Sequence, residues 1–291
     1  MPCIKQLLLL AFTLLFIPGE LYSQLTRERV VENLDTELTF MAPRSINLYT
    51  VQHLSKGELH YSIMHTFGEV RSGPRNLWGL DQGANVRFSF EYGFSDRYSV
   101  VVGRSSMDKV IDAGTRVSIL RQKTDDSVPV SISFIPLIGI NSSELGFLDE
   151  KYTFTDRLHY SFSMPVARKF SDKLSLQVSP IFAHYNRVGN ELNLSDPQTN
   201  NYFSAALSGR YKFSQMSAVS FQYIPALTDA ERISDNLAIG IDIETGGHVF
   251  QMFFTTSRAL HEPYLISSDN GSFFAREFRF GFNVNRLFRV N

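Results

Sequence analysis

"ANVRFSFEYGFSDRYSVVVGRS", residues 84–105, holds two alternating runs joined by a short polar link. In the first run Val86, Phe88, Phe90, Tyr92 and Phe94 share one face, and Asn85, Arg87, Ser89, Glu91 and Gly93 share the other. That period of two marks a strand with one apolar and one polar side. Ser95-Asp96-Arg97 then reads as a hairpin loop that pairs Phe94 with Tyr98, so the apolar face continues into Val100 and Val102. The same punctuation returns in "RKFSDKLSL" (168–176) and "YKFSQMSAV" (211–219). There the count pairs Phe170 with Leu174 and Phe213 with Ser217. Thr245-Gly246-Gly247 solves the same problem with glycines that accept a positive φ.

Working outward, alternation of this kind predicts twelve strands, over 58–68, 84–94, 98–105, 113–123, 128–140, 156–168, 174–185, 201–213, 217–226, 236–244, 248–257 and 275–288. Most approach the roughly 9–11 residues that a tilted strand needs to cross a bilayer, against an average of about 5–6 in soluble proteins. Their connections alternate long and short without a break, as the loops and turns of outer-membrane barrels do. The reading is an all-β, antiparallel up-and-down transmembrane barrel spanning 58–291. An even strand count returns both termini to one side, the periplasm of a Gram-negative cell.

The N-terminus fits that destination. Lys5, the apolar run Leu7–Ile17, Pro18, Gly19 and Ser23 make residues 1–23 a secretory signal with cleavage before Gln24. The run is too short to span a bilayer as a helix. Cys3, the single cysteine, leaves with the signal, so no disulfide framework, thiol catalysis or cysteine metal site is available to the mature chain. Lys5 and Glu20 leave together, so the formal charge of -1 is unchanged. A near-neutral chain without a basic block is not a nucleic-acid binder. Residues 24–57 read as a periplasmic extension or plug, with a short helix placing Val30, Val31, Leu34 and Leu38 on one side and "SINLYTVQHL" extended.

Aromatics at the short-turn end, Tyr92, Phe94, Tyr98, Phe170, Tyr211, Phe213 and Phe288, mark a membrane boundary. The closing "FRFGFNVNRLFRVN" resembles the last strand of outer-membrane barrels, the element that the barrel-assembly machinery recognises, although Phe288 is followed by three further residues. "HTFGEV", "GLDQGANVRFSFEYGFSDRYSVVVGRSS" and "LRQKTDDSVPVSISF" occur in the order found in an uncharacterised family of predicted outer-membrane β-barrel proteins, a domain of unknown function. The chain resembles that family over residues 44–290. The resemblance implies lipid as surroundings and carries no catalytic residue.

Chemistry is therefore sought on the inward faces. These place Arg87, Glu91, Arg116, Arg157, His159, Arg210, Asp242, Glu244, Glu277 and Arg279 along a lumen of mixed charge. Such a lumen either forms a hydrated passage for small polar solutes or closes itself through ion pairs. No catalytic or metal-binding set emerges and no cofactor is called for. His60 and His65 are an odd number apart, so they point to opposite faces. His159, Ser161 and Ser163 share a face but lack a third group in a local motif that would orient the histidine. The expected function is a passive channel or uptake component, not an enzyme. A closed structural or docking barrel stands as the rival, and an outer-membrane hydrolase as a more distant one.

Overall fold

The computed structural model describes residues 34–143, 153–189, 198–230 and 233–290. The signal segment, and the Val30 and Val31 part of the expected helix, lie outside these residues. Thirteen strand segments form one antiparallel sheet, and two of them are halves of a single crossing, so the barrel has twelve. In chain order these are β1 (Glu58–Glu69), β2 (Asn85–Ser95), β3 (Tyr98–Ser105), β4 (Ile111–Leu120), β5 (Ser131–Ile140), β6 (Leu158–Ser163 with Val166–Lys169), β7 (Leu174–Tyr185), β8 (Asn201–Lys212), β9 (Ser217–Ile224), β10 (Asn236–Thr245), β11 (His248–Thr255) and β12 (Arg279–Arg289). β12 pairs with β1 from Arg289↔Glu58 to Arg279↔Glu69 and closes the cylinder. A closed sheet leaves no unpaired edge, which is the condition for strands to stand in lipid.

Polarity is inverted relative to a water-soluble domain. Phe88, Phe90, Ile239, Ile241, Met252 and Phe254 are exposed on the outer face, while Arg87, Ser89, Gln222, Gln251 and Asn283 are buried. The boundary aromatics Phe94, Tyr98, Phe170, Tyr211, Phe213 and Phe288 are all exposed at the short-turn end, and Tyr92 is half-buried. Tyr92 packs edge-on against Phe94, their centroids 4.9 Å apart.

Two of the three repeated turns have the anticipated register: Phe170 N–H donates to the Leu174 carbonyl and Phe213 N–H to the Ser217 carbonyl. The first does not. Ser95, rather than Phe94, pairs with Tyr98, and a bulge between Gly93 and Ser95 absorbs the extra residue before the ladder resumes at Gly93↔Ser99. At the last short turn, Gly246 and Gly247 both have positive φ, as a two-residue primed turn requires.

Most strand limits fall within one or two residues of the sequence pattern, and four strands depart further. β4 and β5 stop short of Lys123 and Val128 because Gln122 instead bonds Ser131 Oγ and the Lys169 carbonyl, and Lys123 bridges to Asp35. β6 is interrupted at Met164–Pro165, where proline has no N–H for the ladder. β12 begins at Arg279, not at residue 275, leaving Glu277 in the preceding loop.

Residues 34–40 contain no helix. Asp35 joins Lys123 as an isolated bridge, and the chain then enters the barrel. Inside, Arg44–Ser45 pairs with Leu48–Tyr49 as a small hairpin, whose tip residue Ile46 has φ 55°. A β-branched residue in that region carries strain of order 1–3 kcal/mol and needs surrounding structure to hold it there. Between β11 and β12 the chain folds inward from the opposite end and forms helix α1 (Glu262–Ser267), whose residues Glu262 to Ile266 are buried.

Candidate functional site: a lumen closed from both ends

The barrel wall presents polar side chains to the hairpin's backbone rather than to its side chains. Gln222 Oε1 accepts from Asn47 N–H at 3.2 Å, and Gln177 Oε1 accepts from Val51 N–H at 3.2 Å. Gln177 Nε2 donates to the Tyr49 carbonyl at 2.8 Å, Asn283 Nδ2 to the Ile46 carbonyl at 2.8 Å, and Gln251 Nε2 to the Arg44 carbonyl at 3.2 Å. Arg116 Nη2 donates to the carbonyls of Thr50 and Gln52 at 2.7 and 2.8 Å. Arg210 Nη2 reaches the Leu38 carbonyl at 2.8 Å. These groups sit on β4, β7, β8, β9, β11 and β12, half of the twelve strands.

The hairpin also meets α1. Tyr49 N–H donates to Glu262 Oε1 at 3.2 Å, so the stopper from the short-turn end touches the one from the long-loop end. Burial pushes the Glu262 carboxyl above its ordinary range and the His261 imidazole well below its own. His261 Nε2 lies 3.3 Å from His159 Nε2, and its Nδ1 lies 3.8 Å from Asp112 Oδ2. Arg44 stacks its guanidinium 3.7 Å over the Tyr49 ring.

Charges between the stoppers are paired across the wall. Arg87 Nη2 donates to Asp112 Oδ1 at 2.8 Å, and Arg116 Nη1 to the two Glu91 oxygens at 2.7 and 2.9 Å. Ser99 Oγ adds a bond to Glu91 at 2.6 Å. Asp242 accepts from Ser220 and from Gln251. Further bonds support these buried pairs, Arg87 donating to Ser105 Oγ and Arg116 to the hairpin carbonyls.

Of the inward residues anticipated from the pattern, Arg87, Glu91, Arg116, His159, Arg210 and Asp242 are buried in the lumen. Glu244 lines a cavity of about 1260 Å³ around the hairpin's entrance, together with Glu37, Met41, His53 and Asn285. Arg157 and Glu277 do not line the passage. Arg157 lies in the single turn before β6 and donates to the carbonyls of Asn141 and Ser143. Glu277 is held in its loop by Arg71 Nη1 at 2.6 Å and Ser272 N–H at 3.1 Å. Both were placed on the wall by extending strand periodicity into segments that have turned away. Arg279 stays at the long-loop rim, where it pairs with Glu69 at 2.6 Å and borders a cavity of about 600 Å³ with Arg71, Gln82 and Arg258.

His159 finds its partner in His261 rather than in a serine, and Ser161 Oγ, though buried, has no hydrogen-bond partner among the described residues. A nucleophile–base pair is not assembled there. The sequence pattern missed Arg44, Asp112, Gln251, His261 and Glu262. Asp112 and Gln251 were legible as the inward positions of β4 and β11. The helix has a weaker signal, apolar Ala259-Leu260 and Tyr264-Leu265-Ile266 inside the long link before the last strand.

A family model described as a membrane bound beta barrel domain matches residues 40–288. Among solved structures, an outer membrane channel from Pseudomonas putida F1 aligns with TM-score 0.51 and 10% identity over 86% of this chain and 100% of its own. The NanC porin aligns with TM-score 0.50 and 8% identity over 80% and 100%. No curated protein matches the sequence.

Proposed function

Because the chain belongs to the family of membrane-bound beta barrel domains designated DUF5777, we propose that it is a stoppered outer-membrane channel, which passes small polar solutes, without catalysis, once the N-terminal hairpin leaves the lumen. The observation that carries this reading is the hairpin's mode of attachment, polar wall side chains bonded to its backbone along the passage. Water replaces bonds of that kind at small net cost, so withdrawal exposes a wall already suited to hydration. Two of the structural neighbours are a channel and a porin, which supports the same class at the level of the fold. The exposed aromatic end with the short turns faces the periplasm in this reading. The barrel-assembly machinery inserts the chain, and residues 1–23 are removed on export.

Reconstitution into planar bilayers tests it. The full mature chain is expected to be electrically silent, and a variant lacking residues 24–57 to give discrete conductance steps. A folded deletion variant that stays silent would overturn the channel reading. It would favour the second one, a permanently closed structural barrel, for which the paired charges Arg87–Asp112 and Arg116–Glu91 speak.

A further inference from the structure

We propose that the emptied lumen is a binding site for an extended peptide, recognised through its backbone. This rests on the reading above that the hairpin leaves, and it names the class of polar solute that takes its place. Gln177 carries the argument furthest. Its side-chain amide donates to the carbonyl of Tyr49 and accepts from the N–H of Val51, two residues on. That is the pairing a neighbouring β-strand offers an extended chain. Glu262 accepts from the N–H of Tyr49, which with Val51 gives two alternate donors along one edge, the repeat of an extended peptide. Gln222 accepts from the N–H of Asn47 at the hairpin tip.

The hairpin's side chains are poorly matched by contrast. Ser45 Oγ and both polar atoms of the Asn47 amide are buried without hydrogen-bond partners among the described residues, whereas the Tyr49 hydroxyl meets Arg87. Buried polar groups are normally satisfied where a site is built for them. The wall therefore reads chiefly the main chain, and the polar side chains little. Four of its charged groups are already paired, Arg116 with Glu91 and Arg87 with Asp112, and the others, Arg210, Asp242 and Glu262, are of both signs, which favours a peptide of low net charge.

Fluorescence anisotropy in detergent tests this without depending on conductance. The receptor is the barrel lacking residues 24–57. Alongside it runs a full-length chain with a protease site inserted at Ser55–Gly57, cut after folding and washed free of its hairpin. The probes are labelled peptides: residues 39–52, a scrambled version, and the native order N-methylated at positions 47, 49 and 51. Native and scrambled peptides are expected to bind within a few-fold of each other, and the N-methylated one about 100-fold more weakly, from the loss of three hydrogen bonds.

A scrambled peptide that loses as much as the N-methylated one, or no binding by a folded barrel, overturns the proposal. On the intact chain, excess scrambled peptide should speed amide exchange at Asn47, Tyr49 and Val51, and unchanged exchange counts against it equally. A barrel that binds peptide but never conducts breaks the channel reading alone. One that conducts but binds none breaks this inference alone.

Discussion

The hairpin around Ile46 and helix α1 enter the same lumen from opposite ends, and they are held there by different physics. α1 and its approach bury Ala259, Tyr264, Leu265 and Ile266 in one apolar cluster with Ile181, Tyr185, Tyr202 and Ile224 of the wall. The hairpin contributes only Leu48 to that cluster, and its other apolar contacts are smaller, Ile46 with Ala238 and Phe253, Tyr49 with Val101, Ile135 and Leu137, and Val51 with Phe40 and Ala167. It relies otherwise on bonds between wall side chains and its own backbone. Apolar burial has no substitute in water, whereas a hydrogen bond exchanged for water costs little. On this account the hairpin is the part that leaves, and α1 stays as a fixed constriction that solutes pass beside.

The largest effect is expected where wall and hairpin share a charge. Arg116→Ala strips Glu91 of its cation and leaves the carbonyls of Thr50 and Gln52 without a donor. It should cost about 3–5 kcal/mol, read as a fall in the unfolding midpoint by the heat-dependent gel shift of the barrel. A loss below about 1 kcal/mol, the scale of an exposed pair, would mean that water already reaches this pair and that the lumen is not sealed.

Next comes Leu265→Ala, which opens a cavity in the apolar cluster and should cost about 2–5 kcal/mol. Its signature is regional. Amide exchange should rise across residues 262–266 while residues 44–52 keep their protection, and an equal rise in both would make the two stoppers one unit. Gln222→Ala removes the acceptor for Asn47 N–H and the donor to Asn236, and should cost about 1 kcal/mol per bond, felt at the hairpin and at the neighbouring β10 wall.

Asp35→Asn should be smallest, a few tenths of a kcal/mol for a partly exposed pair. Lys123 and Arg121 hold the Asp35 carboxyl below its ordinary 3.8. A carboxylate with a depressed folded pKa contributes fully above its unfolded value and loses that contribution as pH falls through the folded one. The tether is therefore whole at neutral pH and is released only in acid, as pH falls below the ordinary 3.8 toward the depressed folded value. Acid-enhanced proteolysis near residue 35 should be present in the native chain and absent from the variant.

The wall was readable and its filling was not, for one physical reason. Each crossing obeys a local rule, a period of two imposed by lipid on one side and polar contents on the other, so Val86, Phe88 and Phe90 announce their strand unaided. The contents obey no period. "RSINLY" and "LHEPYLI" are short, mixed stretches whose placement depends on partners far along the chain, Tyr49 with Glu262 being the plainest case. Arg157 and Glu277 were misplaced at the same boundary, where strands pass into loops and alternation stops reporting direction.

Hydrogen–deuterium exchange on the folded, unmodified barrel bears most directly on the claim that the hairpin is the movable stopper. The account predicts that the amides of Asn47, Tyr49 and Val51 exchange well before those of Leu265 and Ile266, while the β1–β12 seam stays protected. Hairpin amides as slow as the seam, or slower than α1, would contradict it.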